Sequence, residues 1–102
     1  MNEQYDVIIV GTGPAGIFAA LELVRQDNLR VLMIEKGSDL SARTCPMHDE
    51  NLPCAQCELC GILCGWGGAG AYSDGKLTLT ASFGGWLADY LSERELVDFI
   101  NY

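Results

Sequence analysis

The sequence predicts an α/β fold that begins with a parallel βαβ unit, and three observations in its first 35 residues support this. An apolar run rich in β-branched residues at 7–10 (VIIV) leads directly into the glycine pattern GTGPAG at 11–16. A second apolar run at 31–34 ends in Glu35. A buried strand, a glycine turn, a helix and a second strand occur in this order in a βαβ unit, which we place at residues 5–35.

The three glycines of the turn suit a unit of the Rossmann type. Gly11 can adopt the tight turn after the strand, and Gly13 has no side chain to keep a pyrophosphate away from the backbone. Gly16 allows the following helix to pack closely on the strand. A lone GxGxxG is a weak signal, but the flanking strand and helix are the context that makes it specific for a dinucleotide.

The helix is predicted to run from Pro14 to Arg25 or Gln26, with Asp27 and Asn28 ending it. Proline is tolerated in a first helical turn because its missing N–H would have no partner there. The free amides and the positive end of the helix dipole would then face the phosphates of a bound nucleotide.

An acidic residue closes the second strand. Glu35 lies 19 positions beyond Gly16, where a carboxylate can accept hydrogen bonds from both ribose hydroxyls of an adenosine. The same charge would repel a 2′-phosphate, which disfavours NADP. The residues of this unit predicted to bind the nucleotide are Gly11, Thr12, Gly13, Pro14, Ala15, Gly16, Glu35 and Lys36.

An alternative interpretation of the apolar stretch at 7–21 is a signal peptide or a membrane segment. No Lys or Arg precedes it, Asp6 and Glu22 flank it closely, and three glycines and a proline interrupt it. A signal peptide instead has a basic start and a small-residue cleavage site. We therefore expect a cytoplasmic protein.

Composition limits the partners. The net charge of −8 argues against nucleic acid and anionic membranes as partners, because both require a basic surface.

The 102 residues fit one small domain, but the βαβ unit ends at residue 35. We expect the chain to be the N-terminal part of a longer protein, in which a C-terminal substrate region or an electron-transfer partner completes the site.

A cysteine-rich loop is predicted at 44–64. Four of its cysteines follow the spacing C-x2-C-x2-C-x3-C, and a fifth lies nine residues upstream. Clustered thiolates can bind an iron–sulfur cluster or zinc, with His48 as one further candidate zinc ligand, and they can also form a redox dithiol near a flavin. Plain buried thiols are the remaining alternative. The candidate metal ligands are Cys45, Cys54, Cys57, Cys60 and Cys64.

A glycine-rich loop is predicted at 65–76 (GWGGAGAYSDGK). Its glycines let the backbone approach a ligand closely, and its free amides can bind an anion. The alternative is a glycine-rich turn that leads into a strand at 76–80, where Leu and Thr alternate. The residues of this loop predicted to bind a cofactor are Gly67, Gly68, Ala69, Gly70, Ser73, Asp74 and Lys76.

The end of the chain, at 86–102, is predicted to be helical. A short helical stretch is expected at 86–91. Ser92 followed by Glu95 is typical of a capping box, which predicts that the last helix begins at Glu93. The apolar stripe of this helix indicates packing against other parts of the protein.

These motifs together resemble a known family. The segments DVIIVGTGPAGIFAALEL and VLMIEKG are similar to the N-terminal FAD-binding segment of flavoproteins with two dinucleotide-binding domains. The cysteine loop followed by GWGGAGAYSDGKLTLT resembles a group of FAD-dependent, NAD(FAD)-utilising dehydrogenases of largely uncharacterised function. The resemblance implies that Gly11, Gly13, Gly16 and Glu35 serve FAD and that the glycine-rich loop lies on the flavin side.

Two function hypotheses follow. The first is the FAD-binding part of a flavin-dependent oxidoreductase, in which the flavin passes hydride or electrons and the cysteines act as an electron relay or a metal clip. The second is a non-catalytic nucleotide- or metal-binding module that senses redox state. No catalytic residue can be assigned, because no His or carboxylate of the chain is tied to a substrate.

Overall fold

The computed structural model describes residues 3–26, 28–48, 52–82 and 84–102. Its centre is a βαβ unit of strand β1 (Val7–Val10), helix α1 (Pro14–Arg25) and strand β2 (Val31–Ile34). The strands are parallel, with Val7 opposite Val31 and Val10 opposite Ile34. The βαβ unit predicted from the sequence is therefore confirmed.

Helix α1 has the bounds that its sequence predicts. Gly13 is extended and precedes it, Pro14 occupies its first turn, and the backbone is extended again at Gln26. Asn28 adopts a left-handed conformation with φ of +68° and so cannot continue a right-handed helix. Asp27, the other residue predicted to end the helix, lies outside the described residues.

Gly16 brings α1 close to β1. A Cβ atom added to Gly16 would lie 2.1 Å from the carbonyl oxygen of Gly11 and 3.4 Å from the Ile9 side chain. No side chain fits at this point, as the glycine pattern predicts. The close approach places the N-terminus of α1 beside the turn that follows β1.

The rest of the described chain has little regular structure. Short 3₁₀ turns occur at Leu40–Ala42, Gly68–Tyr72 and Leu87–Asp89, and the last of these lies within the helical stretch expected at 86–91. The alternative of a strand at 76–80 is wrong, because residues 74–80 have no regular secondary structure. Within the described residues the sheet contains only β1 and β2, so no strand pairs with this segment.

The chain ends with helix α2 (Glu93–Ile100), and a capping box fixes its start. The Ser92 amide donates to Glu95 Oε2 at 2.8 Å, and the Glu95 amide donates back to Ser92 Oγ at 3.3 Å. Among the described residues, Leu96 on α2 is the one apolar residue whose side chain is buried. No helix in the described ranges is long and apolar enough to span a bilayer.

The C-terminus returns to α1. The rings of Phe18 and Tyr102 meet edge to face with centroids 5.7 Å apart, and the Arg25 guanidinium lies 4.6 Å from the Tyr102 ring centroid. The Tyr102 hydroxyl also donates to Glu22. These contacts attach α2 to the helix of the βαβ unit.

Candidate functional site

Two glycine-rich loops meet in this structure. The amide of Gly67 donates a 2.8 Å hydrogen bond to the carbonyl of Thr12, in the middle of the turn after β1. A Cβ atom added to Gly68 would lie 3.2 Å from Gly13 Cα. The turn at 11–16 and the loop at 65–76, which the sequence separates by about fifty residues, are therefore adjacent. Both were predicted to bind the same cofactor.

Glu35 joins three segments of this site. Its Oε2 accepts hydrogen bonds from the Thr12 amide at 2.8 Å and the Thr12 hydroxyl at 3.0 Å. Its Oε1 accepts from the amides of Gly37 at 2.9 Å and Gly65 at 3.0 Å. Thr12 is only 1% exposed. A single carboxylate thus ties the turn after β1, the end of β2 and the start of the second glycine loop together.

This arrangement bears on the ribose contact predicted for Glu35. A carboxylate has about four lone-pair sites, and Thr12, Gly37 and Gly65 already supply four donors. A ribose hydroxyl could bind Glu35 only by sharing these acceptors or by replacing one of the donors. The ribose contact stays a prediction, whereas the role of Glu35 in joining the loops is part of the structure.

The hydrogen bonds lower the pKa of Glu35. Its pKa falls from 4.5 to about 2, chiefly because the Thr12 amide stabilises the carboxylate, followed by the Gly37 amide. The Thr12 hydroxyl and the Gly65 amide add to this effect, and partial burial opposes it. Glu35 is therefore ionised at any physiological pH.

We expect stability to depend on pH through Glu35. The pKa is lower in the folded state, so this contribution is complete above pH 4.5 and is lost as pH falls towards about 2. When the pH is lowered from 4.5 towards 2, the free energy of unfolding should fall less for Glu35→Gln than for the wild type. Urea denaturation at a series of pH values measures this difference. Glu58→Gln, at an exposed position, is the matched control. Parallel losses in the wild type and Glu35→Gln would contradict the assignment.

Residues 73–76, at the end of the glycine-rich loop, are exposed to solvent. Asp74 pairs with Lys76 at 3.0 Å, and the Gly75 amide donates to Ser73 Oγ at 3.2 Å. These polar groups therefore bind one another in a local turn. The predicted cofactor-binding residues that are exposed are Pro14, Ala15, Lys36, Ala69, Gly70, Ser73, Asp74 and Lys76.

Arg43 is a site residue that the sequence did not reveal. It is 5% exposed, and within the described part of the chain its guanidinium donates only to backbone carbonyls of the segment 61–68. No motif marks a lone cation that binds carbonyls about twenty residues away, so only the folded chain shows its role.

The cysteine loop folds back on itself. A Cβ atom added to Gly61 would lie 2.2 Å from the Thr44 carbonyl oxygen, so the two ends of the loop are in contact. The loop surrounds a pocket of about 450 Å³ that Met47, Leu52, Ile62 and Leu63 help to line. Four of the five cysteines also line this pocket, namely Cys45, Cys54, Cys57 and Cys60.

The predicted metal centre is not assembled in the described residues. All five cysteines are free thiols, and no three His, Cys, Asp or Glu side chains of the described ranges are arranged to hold a metal ion. Cys64 does not line the pocket, and His48 packs edge to face on Tyr72 with ring centroids 5.8 Å apart. The structure thus places four thiols around one pocket without forming a ligand set.

Comparison with known proteins gives a family match. The family model described as pyridine nucleotide-disulphide oxidoreductase matches residues 5–56. An uncharacterized protein from Clostridium beijerinckii is 43% identical over an alignment of 75 residues, and the match covers 70% of this chain and 13% of that protein. No solved structure matches the chain.

Two further relatives have descriptive names. The "Putative FAD-dependent oxidoreductase LodB" of Marinomonas mediterranea is 49% identical over 41 residues, covering 40% of this chain and 11% of that protein. The human mitochondrial electron transfer flavoprotein-ubiquinone oxidoreductase is 40% identical over 47 residues, covering 41% of this chain and 8% of that protein. The chain therefore spans only 8% to 13% of the length of these relatives.

Proposed function

Because this chain belongs to the pyridine nucleotide-disulphide oxidoreductase family, we propose that it is the FAD-binding part of a flavin-dependent oxidoreductase. The observation that carries the proposal is the meeting of the two glycine loops through the hydrogen bond from Gly67 to Thr12. A dinucleotide that crosses from one loop to the other would contact both, and FAD has the two halves that such a site requires.

The turn after β1 suits the ADP half of FAD. Apart from its neighbours in the chain, no described residue lies within 4 Å of a Cβ atom added to Gly13, so the space beside this residue is open. Gly13 also precedes α1, whose first amides and positive dipole end attract a pyrophosphate. We infer that Gly11, Gly13 and Gly16 shape this turn around the phosphates.

The second glycine loop would then approach the flavin half. Gly67 and Gly68 have φ of +80° and +61°, left-handed conformations that glycine adopts without strain. Side chains here would also separate the loop from the turn after β1, because the added Cβ of Gly68 already lies 3.2 Å from Gly13. The flavin supplies the hydride or electron chemistry when bound, and these residues bind and orient it.

We assign no step to a metal centre. The described thiols do not fit a metal ion or cluster as they are placed, because no three ligands converge. A ligand role for the cysteines stays a prediction from their spacing. Analysis of iron, sulfide and zinc in protein purified without oxygen would test it.

Electron transfer to another protein or molecule is part of the proposal. One relative is named as an oxidoreductase that connects an electron transfer flavoprotein with ubiquinone, which is consistent with a flavin that receives and passes on electrons. What the site supports is a flavin bound across two glycine loops.

The absorption spectrum of the purified full-length protein tests this function. We expect the visible bands of oxidised flavin, and we expect mass spectrometry of the released cofactor to identify FAD. Reduction by a chemical donor should bleach the bands, since the bound flavin accepts electrons. A colourless protein that stays colourless after incubation with FAD would contradict the proposal.

A further inference from the structure

Arg43 is almost completely buried, yet it binds no carboxylate within the described residues. Its Nε donates to the Gly61 carbonyl at 2.8 Å, and its Nη2 donates to the Ile62 carbonyl. Its Nη1 donates to the carbonyls of Trp66 at 3.0 Å and Gly68 at 2.8 Å. One side chain thus binds the end of the cysteine loop and the start of the second glycine loop.

The chemistry of this contact requires arginine. Burying an unpaired charge is costly unless its hydrogen-bonding groups find partners, and here the carbonyl dipoles of the loops provide them. A guanidinium presents five N–H donors in a rigid plane, which matches several carbonyls at once. The Tyr72 ring centroid, 5.5 Å from Arg43 Cζ, adds a cation–π contact. A lysine ammonium could not reproduce this geometry.

The position of these carbonyls links Arg43 to the proposed FAD site. Trp66 and Gly68 flank Gly67, whose amide binds the Thr12 carbonyl in the turn after β1. Arg43 therefore holds the residues on both sides of the hydrogen bond that joins the two loops. We propose that Arg43 is the positioning residue that sets the second glycine loop against the flavin half of FAD, an inference that rests on the proposed function.

The same contacts separate this role from general support of the fold. Among the residues that the structure describes, every hydrogen bond of the Arg43 side chain goes to residues 61–68, and none goes to β1, α1 or β2. The turn that would bind the ADP half should keep its shape when Arg43 is replaced. Loss of Arg43 should therefore weaken FAD much more than ADP.

Titration of the full-length apoprotein with FAD and with ADP tests the proposal. We expect Arg43→Gln to lower FAD affinity by about tenfold or more, as lost charge-assisted hydrogen bonds should, and to change ADP affinity by less than about threefold. Arg43→Lys should share the defect. For Arg43→Ala, added guanidinium ion should restore FAD binding where an equal concentration of NaCl does not. Arg94→Gln, at an exposed position on α2, is the matched control.

Four results would overturn the inference. Equal losses of FAD and ADP affinity would make Arg43 a general support of the fold. Arg43→Lys binding FAD like the wild type would show that the planar donor set is not needed. Unchanged FAD affinity in every Arg43 variant would remove the positioning role but leave the proposed function standing. Failure of the wild type to bind FAD would instead remove the proposed function, and this inference with it.

Discussion

Gly13→Val is expected to lower the FAD affinity of the full-length protein by about a hundredfold, roughly the loss of one or two charge-assisted hydrogen bonds to the pyrophosphate. Apart from its neighbours in the chain, no described residue lies within 4 Å of the new Cβ, so the side chain would project into open space. The backbone of Gly13 has φ of −73°, which valine adopts without strain. The substitution should therefore block the ligand and spare the fold.

The control for this variant is Ala19→Val, which adds a similar side chain at an exposed position of α1. We expect it to bind FAD like the wild type. Affinity is measured by fluorescence titration of the apoprotein, and folding by thermal denaturation without ligand. Normal FAD binding by Gly13→Val would show that the phosphates bind elsewhere. A clearly lower unfolding temperature for Gly13→Val than for Ala19→Val would show that Gly13 is required for the stability of the fold.

Gly65→Ala should have the largest effect on stability. Gly65 is buried with φ of +126°, a conformation that side chains rarely adopt, which alone costs about 1–3 kcal/mol. Its added Cβ would lie 2.4 Å from the Ser38 carbonyl oxygen and 2.7 Å from Arg43 Cδ. Relief of these overlaps would move the Gly65 amide away from Glu35, so we also expect weaker FAD binding.

Gly70→Ala is the matched control for stability. Its added Cβ would meet no described residue beyond its local neighbours in the chain within 4 Å, and its φ is not positive. We expect its free energy of unfolding to stay within about 0.5 kcal/mol of the wild type or to rise slightly, as Gly→Ala changes at compatible positions do. Urea denaturation of both variants measures the difference. Equal stabilities would mean that the close packing around Gly65 is not rigid.

The βαβ unit could be predicted from the sequence because its signals are local. Apolar runs mark both strands, and Pro14 and Gly16 mark the start and the close packing of α1 within a few residues of each other. Ser92 and Glu95 mark the start of α2 in the same way. Each of these features depends on neighbours in sequence, so the pattern itself carries the information.

The assembly of the site could not be predicted in this way. Glu35 was expected to meet a ribose, but in the structure its oxygens bind Thr12 and Gly65, which are 23 and 30 positions away. Arg43 similarly binds carbonyls 18 to 25 positions away. Backbone amides and carbonyls are present in every residue, so the sequence contains no signal for which of them a side chain will reach.

The alternative of a strand at 76–80 fails for a related reason. An alternation of apolar and polar residues, here Leu77 and Leu79 with Thr78 and Thr80, is typical of a half-buried strand. A strand also needs a partner strand. The described sheet provides none there, and Leu77 and Leu79 are exposed. Local alternation alone therefore does not decide strand formation.

Titration of the full-length apoprotein with FAD and with FMN tests directly whether the βαβ unit binds the AMP portion of FAD. FMN carries the flavin but lacks the AMP portion of FAD that the unit of β1, α1 and β2 would bind. We expect the wild type to bind one FAD per chain, much more tightly than FMN, and we expect Gly13→Val to abolish this difference. Equal affinity for FAD and FMN in the wild type would contradict this expectation, because the dinucleotide turn would then contribute nothing.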